Sequence, residues 1–263
     1  MLNTLLISLC VRSFFFFFFF PFAQLKEGSP LNRNPGAAVK SPLIMGNDIR
    51  TIAAADLSIL SNPAVIAISQ DPAGSSAARR WIYATNSTTQ PLSASTAGSI
   101  QMWSGSLAST TGGTYSDMVV LLINGGNTST TMNATLADIF VDSGPLGTAP
   151  QVAVPWEVRD LWANRMSNAE AQAIIDSSAA AGNATTGYNA TRVEVGGQRR
   201  YNATALSYRD GLKAPANGSL LLGNVTTTVL PSGTITAEVE AHGAAIFRLR
   251  AMPTGVKRKR DEL

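Results

Sequence analysis

The chain has 263 residues, 45% hydrophobic and only 14% charged, enough to bury a sizeable core and too apolar for a disordered chain. The net charge is +3 and the pI about 9.2, but the basicity is local: Lys257-Arg258-Lys259-Arg260-Asp261-Glu262 carries four positive and two negative charges. The remainder is nearly neutral, so no basic face for nucleic acid is implied.

Residues 1–39 read in two incompatible ways. Met1 to Gln24 holds two apolar runs, Leu5 to Val11 and Phe14 to Phe20, then Pro21-Phe22-Ala23-Gln24. That resembles a secretory signal cut after Ala23. Against it, Arg12 places a charge inside the apolar core, and seven successive phenylalanines are unusual there. The alternative lies in the codons: a T-rich tract ending in CAG is an intron's 3′ end read as protein, and the segment fits this better than a signal. A membrane anchor is the least suitable reading, because a span needs about 20 uninterrupted apolar residues. Pro30 to Val39 reads as a linker or as more misread sequence.

From Lys40 the pattern becomes regular. Ser41 to Met45 is a short apolar run stopped by Gly46-Asn47-Asp48 and suits a buried strand. Asp56 to Leu60 reads as a short helix, with Ser61-Asn62-Pro63 as its stop. Ala64 to Ile68 reads as a second buried strand closed by Gln70-Asp71-Pro72-Ala73-Gly74. Strand, helix and strand within about thirty residues make a βαβ unit, which needs a larger sheet around it.

From about Arg79 onward, β-type runs recur between Gly, Asn, Ser and Pro. The expected strands are Arg80–Thr85, Ser99–Ser104, Met118–Ile123, Ala134–Phe140, Val152–Asp160, Thr191–Val195, Ser219–Leu222, Thr226–Leu230, Thr234–Glu240 and Ala244–Leu249. Several alternate apolar with polar, which favours an antiparallel sandwich with one buried face per strand. One helix is expected, Asn168 to Ala180, capped by Ser167 with Ala171, Ile174 and Ile175 facing inward. Residues 181–218 hold four glycosylation triplets and little apolar pattern, and read as an excursion from the sandwich.

PLIMGNDIR (Pro42 to Arg50) followed by LSNPAVIAISQDPAG (Leu60 to Gly74) resembles the end of the catalytic barrel in fungal α-galactosidases of glycoside hydrolase family 27. DLWANRM (Asp160 to Met166), YNATALSYRDGL (Tyr201 to Leu212) and HGAAIFRLR (His242 to Arg250) resemble the C-terminal domain of the same enzymes. The likeness runs from Lys40 to Arg250 and is absent upstream. It implies a mainly β chain: a C-terminal antiparallel β-sandwich at 79–250, preceded at 40–78 by the last βαβ fragment of a (β/α)8 barrel; the basic tail at 251–263 lies beyond the resemblance. Family members are retaining glycosidases, whose chemistry uses two carboxylates roughly 5 Å apart. In the family both are aspartates on strands before the matched piece, and neither segment is in this chain. A barrel of this kind takes about 250 residues by itself. The resemblance therefore implies no catalytic residue here, no turnover, and a galactoside partner only where the full barrel is present. It implies no metal and no cofactor.

The residues that could carry chemistry have structural readings beside the functional ones. Asp48 and Asp71 are the carboxylates nearest the barrel's strand ends, on strands the family does not use for catalysis. Asp48 reads as a turn cap beside Arg50, and Asp71 before Pro72 as an Asx-type turn. His242 is the only histidine, so it makes neither a triad by spacing nor a zinc site. Thr111-Gly112-Gly113-Thr114 lacks the helix that a phosphate loop needs. Trp81, Trp103, Trp156 and Trp162 could stack on sugar rings, but tryptophan is usually buried, so packing is the expectation.

The single cysteine, Cys10, allows no disulfide. Asn86, Asn127, Asn133, Asn183, Asn189, Asn202, Asn217 and Asn224 each open an N-x-S/T triplet, and eight of them favour a secreted, glycan-bearing surface. The tail has two readings: Lys257-Arg258-Lys259-Arg260 resembles a nuclear import patch, and Arg260-Asp261-Glu262-Leu263 a K-D-E-L retrieval address to the endoplasmic reticulum, the one that agrees with the glycosylation triplets.

Overall fold

A computed structural model describes residues 36–40, 43, 51–73, 75–84, 99–108, 115–140, 149–182, 207–212 and 218–252. After a helical turn at 36–38, the order is α1 (Ala54–Leu60), α2 (Pro63–Ser69), β1 (Ala78–Ala84), β2 (Ser99–Ser106), β3 (Met118–Asn124), β4 (Thr130–Thr135) and α3 (Leu136–Phe140). A 3-10 turn (Pro150–Ala153) leads to β5 (Trp156–Asp160), α4 (Asn168–Gly182), α5 (Tyr208–Gly211), α6 (Gly218–Leu222), β6 (Asn224–Val229), β7 (Thr234–Val239) and β8 (Ala244–Ala251).

Six strands form one antiparallel sheet in the order β1-β2-β3-β8-β5-β6, and β4 pairs with β7 in a second. The chain is thus mainly β and antiparallel, as its alternating runs suggest. β3 explains how the layers stack. Every residue of Met118-Val119-Val120-Leu121-Leu122-Ile123-Asn124 is buried, so this strand is covered on both faces. Met118, Val120 and Leu122 join Ile100, Met102, Trp156, Val158, Phe247 and Leu249 against Met132, Ala134, Ile235 and Val239 of the small sheet. Val119, Leu121 and Ile123 point the other way, into a layer formed by Ala64, Val65 and Ile68 of α2 with Ala37 and Ala38. Gly105 is where this outer layer comes closest: a Cβ there would lie 2.7 Å from the Ala77 backbone.

Three expected strands are helical. Ala64–Ile68 lies inside α2, because Asn62 caps that helix, accepting from Ala64 N at 3.0 Å and Val65 N at 3.4 Å, with Pro63 at its first position. Asn-Pro read as a stop is here a start: proline has no N–H to lose in a first turn. The run Ala134–Phe140 is split. Thr135 and Asp138 form a reciprocal cap, Thr135 N donating to Asp138 Oδ2 (3.2 Å) and Asp138 N to Thr135 Oγ1 (3.0 Å), which starts α3. Ser219–Leu222 lies in α6, which ends at Gly223 with φ of 80°. Within Val152–Asp160, the strand begins only at Trp156, after Pro155.

The expected helix is present as α4. Ser167 and Glu170 make its cap, Glu170 N donating to Ser167 Oγ at 3.2 Å, and Ala171 is buried while Ile174 and Ile175 are half-buried. Thr191–Val195 and the strand expected at Ser41–Met45, Leu43 apart, lie outside the described residues.

Candidate functional site

Asp71, the sequence candidate nearest a barrel strand end, is the best-tied carboxylate among the described residues. Its side chain is fully buried. Oδ1 accepts from Ala73 N (2.9 Å), which is the expected Asx turn, and from Ala108 N (2.9 Å) across the fold. Oδ1 also accepts from Lys40 Nζ at 3.1 Å, and the Arg248 guanidinium lies 3.9 Å from Oδ2. Arg248 continues to Asp117 at 3.5 Å, and Arg250 approaches the same Asp117 oxygen at 3.1 Å. Three cations and two carboxylates thus form one buried chain linking residue 40, the 71–73 turn, the residues flanking β3, and β8.

Burial is the largest influence on the cluster. It raises the Asp117 carboxyl above its ordinary range, opposed by Arg248 and Arg250, while nearby Asp71 adds to the rise. It lowers Arg248, opposed by Asp117 and Asp71, though a guanidinium keeps its proton in a protein. Chemically the cluster is a lock. A glycosidase acid or nucleophile must meet its substrate in a cleft, whereas Asp71 and Asp117 are 5% and 1% exposed, with the Asp71 oxygens taken by Lys40 and N–H groups and Asp117 Oδ2 facing Arg248 and Arg250.

The DLWANRM stretch is the other half of this seam. Asn62 Nδ2 donates to Leu161 O (3.0 Å), Ser58 Oγ donates to Met166 O (2.6 Å), and Leu161 N donates to Ile246 O (3.1 Å). Asp160 Oδ1 accepts from Trp162 N at 2.8 Å and holds the turn. The motifs on either side of residue 78 therefore meet face to face: α1 and α2 dock on the Asp160–Met166 turn.

The remaining candidates are scattered. Trp156 is buried, donates Nε1 to Gln151 O at 2.9 Å and stacks on Phe140 at 4.8 Å. Trp81, Trp103 and Trp162 are half-buried, with Arg79 over Trp103 and Arg165 over Trp162. His242 is exposed in the β7–β8 turn with φ of 51°, its N–H donating to Gly126 O. Asn127, Asn133 and Asn224 are all exposed. Asp48, Thr111–Thr114, Asn86, Asn183, Asn189, Asn202, Asn217, Cys10 and the basic tail lie outside the described residues. Among the described residues no group of three or more His, Cys, Asp or Glu could hold a metal, and no helix is long and apolar enough to cross a membrane.

Sequence reasoning missed Lys40, Asp117, Arg248 and Arg250. One signal was present: two arginines at alternate positions in Ile246-Phe247-Arg248-Leu249-Arg250 put charge on one face of an otherwise apolar strand, which calls for buried partners.

Residues 97–186 match the alpha galactosidase C-terminal beta sandwich domain. An α-galactosidase of Saccharomyces paradoxus is 41% identical over 216 residues, 82% of this chain but 40% of the relative. The α-galactosidase structure from Saccharomyces cerevisiae superposes with a TM-score of 0.66 at 38% identity, covering 85% of this chain and 43% of the enzyme. Its form with raffinose gives 0.65 at 37% identity. The chain thus spans about two-fifths of the relatives it matches. It matches the C-terminal portion of these α-galactosidases, the β-sandwich with the residues that lead into it.

Proposed function

We propose that this chain is the non-catalytic C-terminal portion of an α-galactosidase, and that its seam is the collar on which a preceding (β/α)8 barrel is seated. In that reading residues 40–78 are the end of the barrel and 79–250 the sandwich. The complete enzyme releases terminal α-linked galactose with retention, through two aspartates on barrel strands outside this chain, without metal or cofactor. The observation that carries the reading is the seam itself. The two motif groups that resemble the enzymes are hydrogen-bonded to each other through Ser58, Asn62, Leu161 and Met166, and Asp71, in the turn after α2, is locked.

The purified chain, assayed on an aryl α-galactoside, gives no turnover above an Asp48→Asn, Asp71→Asn control; hydrolysis above that background ends the proposal. Retention on an immobilised galactoside, with no turnover, would favour a glycan-binding module instead. Transcript sequencing across the codons for Phe14 to Lys40 decides the origin of the N-terminus. Reads that splice past the phenylalanine run into barrel sequence support a longer enzyme, and reads that continue from Met1 support the short chain.

The eight triplets support a secretory route with N-linked glycans, and the terminal RDEL supports retention in the endoplasmic reticulum. Expression from the chain's own Met1, followed by glycan mapping and deletion of the last four residues, tests both.

A further inference from the structure

β6 is the outermost strand of the six-stranded sheet, paired with β5 on one side and with no described strand on the other. Asn224 to Thr228 are all exposed, as are the apolar side chains of Val225 (52%) and Leu230 (69%). The strand Asn-Val-Thr-Thr-Thr-Val carries no charge and no proline, and its threonines and valines favour extended pairing. Beside it a groove of about 320 Å³ opens between the sheets, walled by Val158, Val229, Ile235 and Phe247 with threonines around them. An uncharged open edge is a template on which a second copy can add a strand, unless something covers it.

One residue supplies the cover. Asn224-Val225-Thr226 is a glycosylation triplet at the first position of this strand. Asn224 Oδ1 accepts from Asn164 Nδ2 at 2.9 Å, which fixes the amide plane and leaves Nδ2 outside that bond. Nδ2 is the atom that glycosylation uses. Among the described residues two other triplets are exposed, and neither lies on the β6 edge. Asn133 sits within β4, its Oδ1 accepting from Thr236, and Asn127 lies in the β3–β4 turn, outside the groove.

We propose that Asn224 carries an N-linked glycan that shields the open β6 edge and groove, and so keeps a second copy of this chain from pairing there. The proposal rests on the secretory reading above. The donor is a lipid diphosphate-linked oligosaccharide of the secretory membrane. Asn224 Nδ2 forms a bond to the sugar C1, the C1–O bond to the lipid diphosphate breaks, and the diphosphate leaves with that electron pair. The amide proton passes to base.

The test is made on the full chain behind a cleavable secretion leader, so that it does not depend on what residues 1–24 do. Peptide mass mapping reads occupancy, and light scattering reads mass. The expected results are an occupied Asn224 with monomer mass in the parent, and at least twice that mass in Asn224→Gln at equal concentration. Monomer mass returns when Val225→Lys is added to Asn224→Gln, because an edge charge replaces the shield. Asn127→Gln stays monomeric. An Asn224 left unoccupied while Asn127 is occupied overturns the proposal, as does an Asn224→Gln chain that stays monomeric. Should that variant not fold, endoglycosidase trimming of the folded parent to one sugar per site gives the same reading, with a doubled mass expected and an unchanged mass overturning. A chain that carries glycan behind the leader but none from its own Met1 overturns the secretory reading itself, and the shield with it.

Discussion

The two faces of the six-stranded sheet are sealed by different physics. Its inner face meets the small sheet chiefly through apolar side chains, with Met102, Met132, Leu136, Ile139, Trp156 and Leu249 fully buried, and with neutral bonds from Asn124 Nδ2 to Val239 O (2.9 Å) and from Ser104 Oγ to Ile139 O (2.7 Å). Its outer face meets the helical layer through apolar contacts as well, but these are interleaved with directed ones: Ser58 to Met166, Asn62 to Leu161, and the Lys40-Asp71-Arg248-Asp117-Arg250 chain. Apolar packing supplies stability with little demand on position, whereas buried polar partners must be met in one geometry. Neutral bonds help to set the inner face, whereas the outer face adds buried charges whose partners must be in place, and so specifies more closely what docks on it and where.

The largest effects fall on both faces alike, and a milder variant of the ion chain separates them. Trp156→Ala should cost about 3–5 kcal/mol, the usual range for a buried aromatic truncated in a core, and lower the denaturation midpoint of the whole chain. Asp71→Ala, which leaves Lys40 and Arg248 buried without their shared carboxylate, should cost a similar amount, about 3–5 kcal/mol. Arg248→Met should cost much less, because Lys40 then keeps Asp71 and Arg250 keeps Asp117. Chemical denaturation of the three variants checks the order. Equal losses for Asp71→Ala and Arg248→Met would show that the cluster acts as plain packing.

How far the sequence carried depends on which signal each element uses. Ser99–Ser106, Met118–Asn124, Thr234–Val239 and Ala244–Ala251 lie within two residues of the runs that announced them, because unbroken or alternating apolar patterns between turn residues are period signals. Ala64–Ile68, Leu136–Phe140 and Ser219–Leu222 are short apolar runs whose composition suits strand and helix alike. Their outcome was decided by single side-chain bonds to backbone, from Asn62 and from the Thr135–Asp138 pair, and by Gly223. The ion chain was only half legible for another reason: Arg248 and Arg250 call for buried partners, but the members are spread from residue 40 to residue 250, and nothing local to Asp71 announces a partner in β8.

A smaller effect tests the seam from the helical side. Asn62→Ala removes the α2 cap and the bond to Leu161 together, at about 1–2 kcal/mol, the upper part of the range for lost caps. Asn62→Asp keeps a cap acceptor but buries a charge at a fully enclosed position and turns an oxygen toward Leu161 O, so it should destabilise at least as much as alanine. Hydrogen exchange locates the change: faster exchange in α2 with β3 unchanged marks the seam as a separate docking step. Uniform acceleration would mean that both faces unfold as one.

The smallest effect is a matter of pH, and its sign runs against intuition for a carboxylate in a turn. Burial raises the Asp160 carboxyl above its ordinary 3.8, and the Trp162 N–H bond offsets this only in part. The folded chain therefore binds this proton more tightly than the unfolded chain does. Between 3.8 and the raised value the unfolded state carries fewer protons, so stability falls as pH rises through that window and stays lower at neutral pH. Asp160→Asn keeps an Oδ1 acceptor for Trp162 while removing the charge. It should melt above the parent at neutral pH, and the gap should close as pH drops below about 4, where Asp160 is protonated in both states. Asp117 is raised for the same reason and remains in the variant, so a slope of the same sign persists with one contributor fewer. A melting difference independent of pH would mean that the turn, and not the buried charge, responds to the substitution.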